Sequence, residues 1–144
     1  MVDVSQKEVT KRVAVASAKL QMSPKAFNIF LKQGSPKGNV LETAKVAGIM
    51  AAKATPAIIP LCHPLELSKV NIDFLIDKKR RVITTMAEVI CLGRTGVEME
   101  ALTAACVSAL TIYDMMKWAG LEMKILDVKL LQKSGGKSGL YVSL

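Results

Sequence analysis

Two β-rich runs, "LSKVNIDFLI" (67–76) and "RRVITTMAEVICL" (80–92), stand on either side of the charged break "DKK". Runs rich in Val, Ile and Thr, joined across so short a polar turn, predict an antiparallel hairpin. That hairpin constrains the rest of the chain. An antiparallel sheet needs one face covered, so the remaining elements must supply its cover.

The flanking sequence supplies helices and further strands. Residues 12–20, "RVAVASAKL", alternate loosely and predict a first strand. Ser23-Pro24 reads as a helix start, with Ser as cap and Pro in the first turn, for a short helix "KAFNIFLKQ" that stops at Gly34. After the loop "GSPKGN", Asn39 and Glu42 form a capping box for a second helix, "VLETAKVAGIMAAKA", which Pro56 is expected to end. Thr95 and Glu98 read as another capping box, opening a long helix from about Val97 to Trp118, with Gly120 as its stop. The runs "EMKILDVKLL" and "LYVSL" read as closing strands. The order β-α-α-β-β-α-β-β predicts an α+β fold of ferredoxin-like kind, an antiparallel sheet with helices on one face. One domain over residues 1–144 is expected.

Composition narrows the packing. Hydrophobic residues make up 51% of the chain but aromatics only 4%, so Ala, Val, Ile, Leu and Met must form the core. Such small side chains suggest close helix–sheet packing, with room for further burial by self-association. The formal charge of +8 favours polyanionic partners: nucleic acid, anionic membrane or phosphorylated small molecules. Three widely spaced cysteines (62, 91 and 106) argue against a disulfide framework and for a reducing, cytoplasmic setting. No apolar run approaches the ~20 residues a membrane span needs, and "MVDVSQKEVTKR" has no signal-peptide core.

Several motifs invite chemistry. The stretch "KSGGKSG" (133–139) resembles a phosphate loop, yet a Walker A motif would need glycine where Leu131 stands, and only a strand follows. What remains is a glycine turn whose N–H groups could meet an anion, with Lys133 and Lys137 adding charge. His63 is the only histidine and sits between Cys62 and Pro64 in the proline-restrained segment "IIPLCHPLELS". A neutral imidazole there is placed to exchange a proton. The three cysteines and one histidine lack chelating spacing, so no metal is expected, nor any cofactor. Asp114 and Lys117 lie at i, i+3 within the apolar "ALTIYDMMKWA", where an acid/base pair has a chemical reason to exist. Glu98 and Glu100 open the same helix, and Glu98 suits the helix dipole. Glu100 and Asp114 are separated by about 21 Å of helix, so one small ligand in one chain cannot touch both. A large ligand or a second subunit would be needed to bring them together.

The segments "KGNVLETAKVAGIMAAK", "IPLCHPLELSKV", "TGVEMEALTAACVSALTIYDMMK" and "KSGGKSG", with the opening "MVDVS", closely resemble the MoaC family, the cyclic pyranopterin monophosphate synthases of molybdenum cofactor biosynthesis. The resemblance runs in order over nearly the whole chain. It implies a ferredoxin-like hexamer, a trimer of dimers with its site between subunits. It implies a lyase that converts (8S)-3′,8-cyclo-7,8-dihydroguanosine 5′-triphosphate to cyclic pyranopterin monophosphate and diphosphate. The substrate is supplied by MoaA, a radical S-adenosylmethionine enzyme. By motif, Asp114 matches the catalytic aspartate and Lys117 a catalytic lysine; Lys37 and Lys133 match lysines of the active-site pocket. Leu61, Cys62, His63, Met99 and Glu100 match substrate-binding segments, and Arg12 falls in a matching position. Asn39 stands where the family often has Asp.

Two other readings remain. A nucleic-acid-binding module on a ferredoxin-like sheet would usually present aromatics for base stacking, and the hairpin offers only Phe74. A non-catalytic scaffold is opposed by the retained Asp114, Lys117, His63 and Lys133.

Overall fold

In a computed structural model covering residues 1–144, the predicted hairpin is two long paired strands. β2 (Leu67–Asp77) pairs antiparallel with β3 (Val82–Gly93), with Ile72 opposite Ala87 and Val70 opposite Val89. β1 (Thr10–Met22) lies beside β3, and β4 (Met123–Ser134) lies on the other side of β1, followed by the two-residue β5 (Tyr141–Val142). The sheet order is β2-β3-β1-β4-β5, every pairing antiparallel. The four long strands, with helical crossovers after β1 and β3, make the expected ferredoxin-like α+β arrangement.

β1 is central because its alternate residues are small and apolar. Ala14, Ala16, Ala18 and Leu20 are fully buried toward the helices. Against this face pack α1 (Pro24–Lys32), α2 (Val40–Ile58) and α3 (Glu98–Met116). One core cluster joins β1 and β3 to Ala101, Ala104, Ala105 and Ala109 of α3 and Ala52 of α2. A second joins Leu20, Met22 and Ile83 to Phe27 of α1 and to Ile112, Met115 and Met116 at the end of α3. The alanines let α2 and α3 approach closely. An added Cβ on Gly48 would fall 2.2 Å from Ser108 Oγ, and that hydroxyl donates a 2.9 Å hydrogen bond to Ala44 O. Phe74 is partly buried against both clusters, on the helix side of the sheet, so it offers no stacking surface.

Two predicted helix starts are realised. Ser23 Oγ accepts from Ala26 N (3.2 Å), and Asn39 Oδ1 accepts from Glu42 N (3.1 Å). Two boundaries differ from expectation. Pro56 does not end α2, which runs to Ile58. The missing N–H falls in the last turn, Ile59 N still donates to Thr55 O, and the buried Thr55 hydroxyl donates to Ala51 O. Thr95 does not cap α3 either. The cap position is Val97, whose apolar side chain has no oxygen to accept from the first-turn N–H groups, and the Glu98 carboxylate pairs with Lys133 instead. After α3 a short 3₁₀ turn (Lys117–Ala119) leads through Gly120 to β4. No helix is long and apolar enough to cross a membrane.

Candidate active site

The chemistry-bearing side chains gather at the two ends of α3. At its N-terminal end, the loop after α2 folds over the β3–α3 connection. Leu61, Cys62 and His63 there share a cavity of about 260 Å³ with Thr95, Gly96, Glu98, Met99 and Glu100. The five residues matched to substrate-binding segments therefore converge. His63 Nε2 lies 2.8 Å from Val2 O, which ties the N-terminal segment to this loop.

Two glutamates separated by Met99 are tuned in opposite directions. Glu100 is buried, only 3% exposed, and burial pushes its carboxyl above the usual range, aided by the nearby Glu98 charge. Burial pushes Glu98 upward as well, but the Lys133 ammonium, 2.9 Å from Glu98 Oε1, together with a backbone N–H and the Arg12 charge brings the net shift downward. Gly96 permits this pose, since a Cβ there would sit 1.9 Å from Glu98 Oε2. Cys62 and Cys91 are both raised, first by burial and then by the Glu100 charge, so neither is an activated thiolate.

Arg12, from β1, binds the backbone around this end. Its guanidinium donates to Gly93 O (3.3 Å), Gly135 O (3.4 Å) and Arg94 O (3.2 Å). It thereby joins the end of β3 to the glycine turn after β4. An added Cβ on Gly136 would meet Arg12 Nη1 at 1.9 Å, so the glycine is needed for this contact. The tail is thus a glycine turn, as its sequence suggests, and the strand beyond it is only Tyr141–Val142.

At the C-terminal end of α3, Asp114 lies between two lysines. Its Oδ2 is 2.7 Å from Lys37 Nζ and its Oδ1 is 2.8 Å from Lys117 Nζ. Lys37 arrives on the loop between α1 and α2, held where Ser35 Oγ donates to Met115 O (2.7 Å). Hydrogen bonds from Lys117 and then Lys37 pull the Asp114 carboxyl down to about 2, and Asp114 raises Lys117 in return. All three side chains are about half exposed.

Within one chain these groups form two clusters, not one pocket. Lys133 pairs with Glu98 at one end of α3, while Lys37, Asp114 and Lys117 lie at the other. From the sequence alone Glu98 reads as a capping-box residue and helix-dipole partner; its ion pair with Lys133 adds a further role. The signal for its larger role is the pair of carboxylates in "VEME", of which Glu98 meets Lys133, 35 residues further along the chain.

Fold and site together define a class: a ferredoxin-like α+β protein with ammonium, carboxylate and imidazole groups clustered at the two ends of one long helix. The chain belongs to the MoaC family, whose model matches residues 1–136. It is 54% identical over 143 residues to the cyclic pyranopterin monophosphate synthase of Desulfatibacillum aliphaticivorans, covering 99% of this chain and 90% of that protein. The proteins of the same name from Syntrophomonas wolfei (52% over 142 residues; 99% and 90% covered) and Parvibaculum lavamentivorans (51% over 141 residues; 98% and 88% covered) are similarly related.

Proposed function

We propose that this chain is a lyase of molybdenum cofactor biosynthesis. It converts (8S)-3′,8-cyclo-7,8-dihydroguanosine 5′-triphosphate to cyclic pyranopterin monophosphate and releases diphosphate. The observation that carries the reading is end-to-end similarity, at about half identity, to proteins named for that product. The charged and titratable groups support it.

The reaction rebuilds rings by proton transfers and closes a cyclic phosphate. Lys37 and Lys117 are held on the two oxygens of Asp114, whose hydrogen bond and charge raise Lys117, and both act as proton donors and phosphate clamps. Asp114, with its carboxyl near 2, is a weak base in the free protein, so it orients the two ammonium groups. Lys133 stabilises phosphate charge at the other cluster. Glu100, whose burial favours the protonated form, delivers or receives a proton within the cavity it shares with His63, Cys62, Leu61 and Met99. Arg12 holds the turn that carries Lys133.

The separation of the clusters along α3 favours a composite site in which one protomer's Asp114 end meets its partner's Glu100 end. A hexamer built as a trimer of dimers supplies such meetings. The substrate comes from a radical S-adenosylmethionine enzyme, MoaA, acting on GTP, in the cytoplasm.

The test is incubation of the purified protein with the cyclised GTP intermediate. Stoichiometric diphosphate and cyclic pterin phosphate are expected. Intact substrate after prolonged incubation, with the protein folded, would overturn the reading.

A further inference from the structure

A second cavity, of about 720 Å³, opens between the N-terminal segment and the glycine turn, and no apolar residue lines it. Lys7, Arg12 and Lys137 bring three positive charges to it, against the single carboxylate of Glu8. Its wall also carries donors that the protein leaves free. Thr10 Oγ1 is buried and has no hydrogen-bond partner, an arrangement that costs free energy until something fills it. Gly136, Lys137 and Ser138 lie outside the strands, and their N–H groups meet no protein acceptor. Gly135 and Gly136 take φ values of 98° and 73°, so consecutive N–H groups come from a turn with left-handed residues, the geometry of an anion-binding nest. Arg12 has five donors, of which three meet main-chain carbonyls, leaving two for the cavity.

The cavity adjoins the catalytic region. Arg12 lines it while its charge also acts on Glu98, and Lys133 begins the strand end that turns into its wall. From this juxtaposition we infer that the cavity holds the terminal two phosphates of the triphosphate, the portion that departs as diphosphate. This rests on the activity proposed above and adds to it a leaving-group subsite made by Lys7, Lys137, Thr10 and the glycine turn. On ring closure a substrate hydroxyl oxygen bonds the α-phosphorus and gives up its proton. The bond from that phosphorus to the bridging oxygen breaks, and its electron pair leaves on diphosphate. The cations and free N–H groups of the cavity meet that growing charge.

The experiment titrates inorganic diphosphate into the wild type, K7A/K137A, K7R/K137R and T10V by calorimetry, beside turnover of the cyclised nucleotide. The wild type is expected to bind diphosphate, and the substrate to displace it. K7A/K137A should weaken diphosphate binding and lower kcat/KM by about tenfold or more, and K7R/K137R should restore most of both. T10V, which keeps the side-chain shape and removes the unpartnered hydroxyl, should weaken diphosphate binding without lowering the melting temperature. Equal diphosphate affinity in the wild type and K7A/K137A would overturn the assignment, as would diphosphate that the substrate fails to displace. Wild-type turnover with unaltered K7A/K137A binding removes this subsite alone. Diphosphate binding lost in K7A/K137A, in a protein that leaves the cyclised nucleotide intact, removes the activity and keeps the anion site.

Discussion

Lys133 Nζ lies 2.9 Å from Glu98 Oε1, across 35 residues of sequence, and this pair helps pull the Glu98 carboxyl down beside Glu100, which burial pushes up. Two carboxyls two positions apart are thereby given different proton affinities. Lys133→Ala should raise the Glu98 pKa, because burial then acts on it with its ammonium partner gone. Carbon-13 NMR titration of the glutamate carboxyls checks this, and an unmoved Glu98 resonance would refute it.

Asp114→Asn should lower turnover by about 10²-fold or more, since Lys37 and Lys117 lose the carboxylate that orients them. The pair is exposed, so the melting temperature should barely change. With its carboxyl near 2, Asp114 is ionised throughout the range above about pH 4 and should add no limb to the pH profile there. A pH–rate series on the wild type and variant separates these statements.

Glu100 links stability to pH. Its folded-state pKa is raised above the ordinary 4.5, so the folded protein holds this proton more tightly than the unfolded chain. The sign follows: stability is greatest below the unfolded pKa and falls as pH rises through the folded value. Glu100→Gln should remove that fall. Urea unfolding at acidic and neutral pH should find the variant more stable than wild type only at neutral pH.

Gly48→Ala tests the contact between α2 and α3. In an open helix the change would stabilise by about 1 kcal/mol. Here the added Cβ falls 2.2 Å from Ser108 Oγ and 3.1 Å from Ala104 O. Overpacking should win, with a net loss of about 1–3 kcal/mol. A denaturant midpoint that rises would show that the helices part without cost.

A composite site predicts complementation. Asp114→Asn and His63→Ala, each expected to be impaired alone, should regain activity when unfolded together and refolded as mixed assemblies. One meeting of subunit ends in such a mixture is then fully wild type. Activity no greater than the sum of the separate variants would place every required group within one chain.

The sheet was legible because its signals are local. Alternation in 82–93 and the charged break at 77–79 suffice for a hairpin, and Ser23 and Asn39 cap the turns they begin. Pro56 misled because the fate of a helix end depends on Thr55, whose buried hydroxyl helps complete the last turns. Glu98 misled for the opposite reason. Its position suits a helix start, yet its partner lies on β4. Arg12 could not be read locally either, since the carbonyls it meets are 81, 82 and 123 residues away. The gathering of Leu61–His63 with Met99 and Glu100 followed from family motifs, and the cavity they share is consistent with that grouping.

The rigidity of α3 has a consequence for dosage. A 19-residue rod with the candidate site groups divided between its tips has no way to bend the two sets together. Under the composite arrangement, a lone copy is folded but idle. Specific activity should then fall with dilution well before circular dichroism registers any loss of helix, making scarcity itself an off-state.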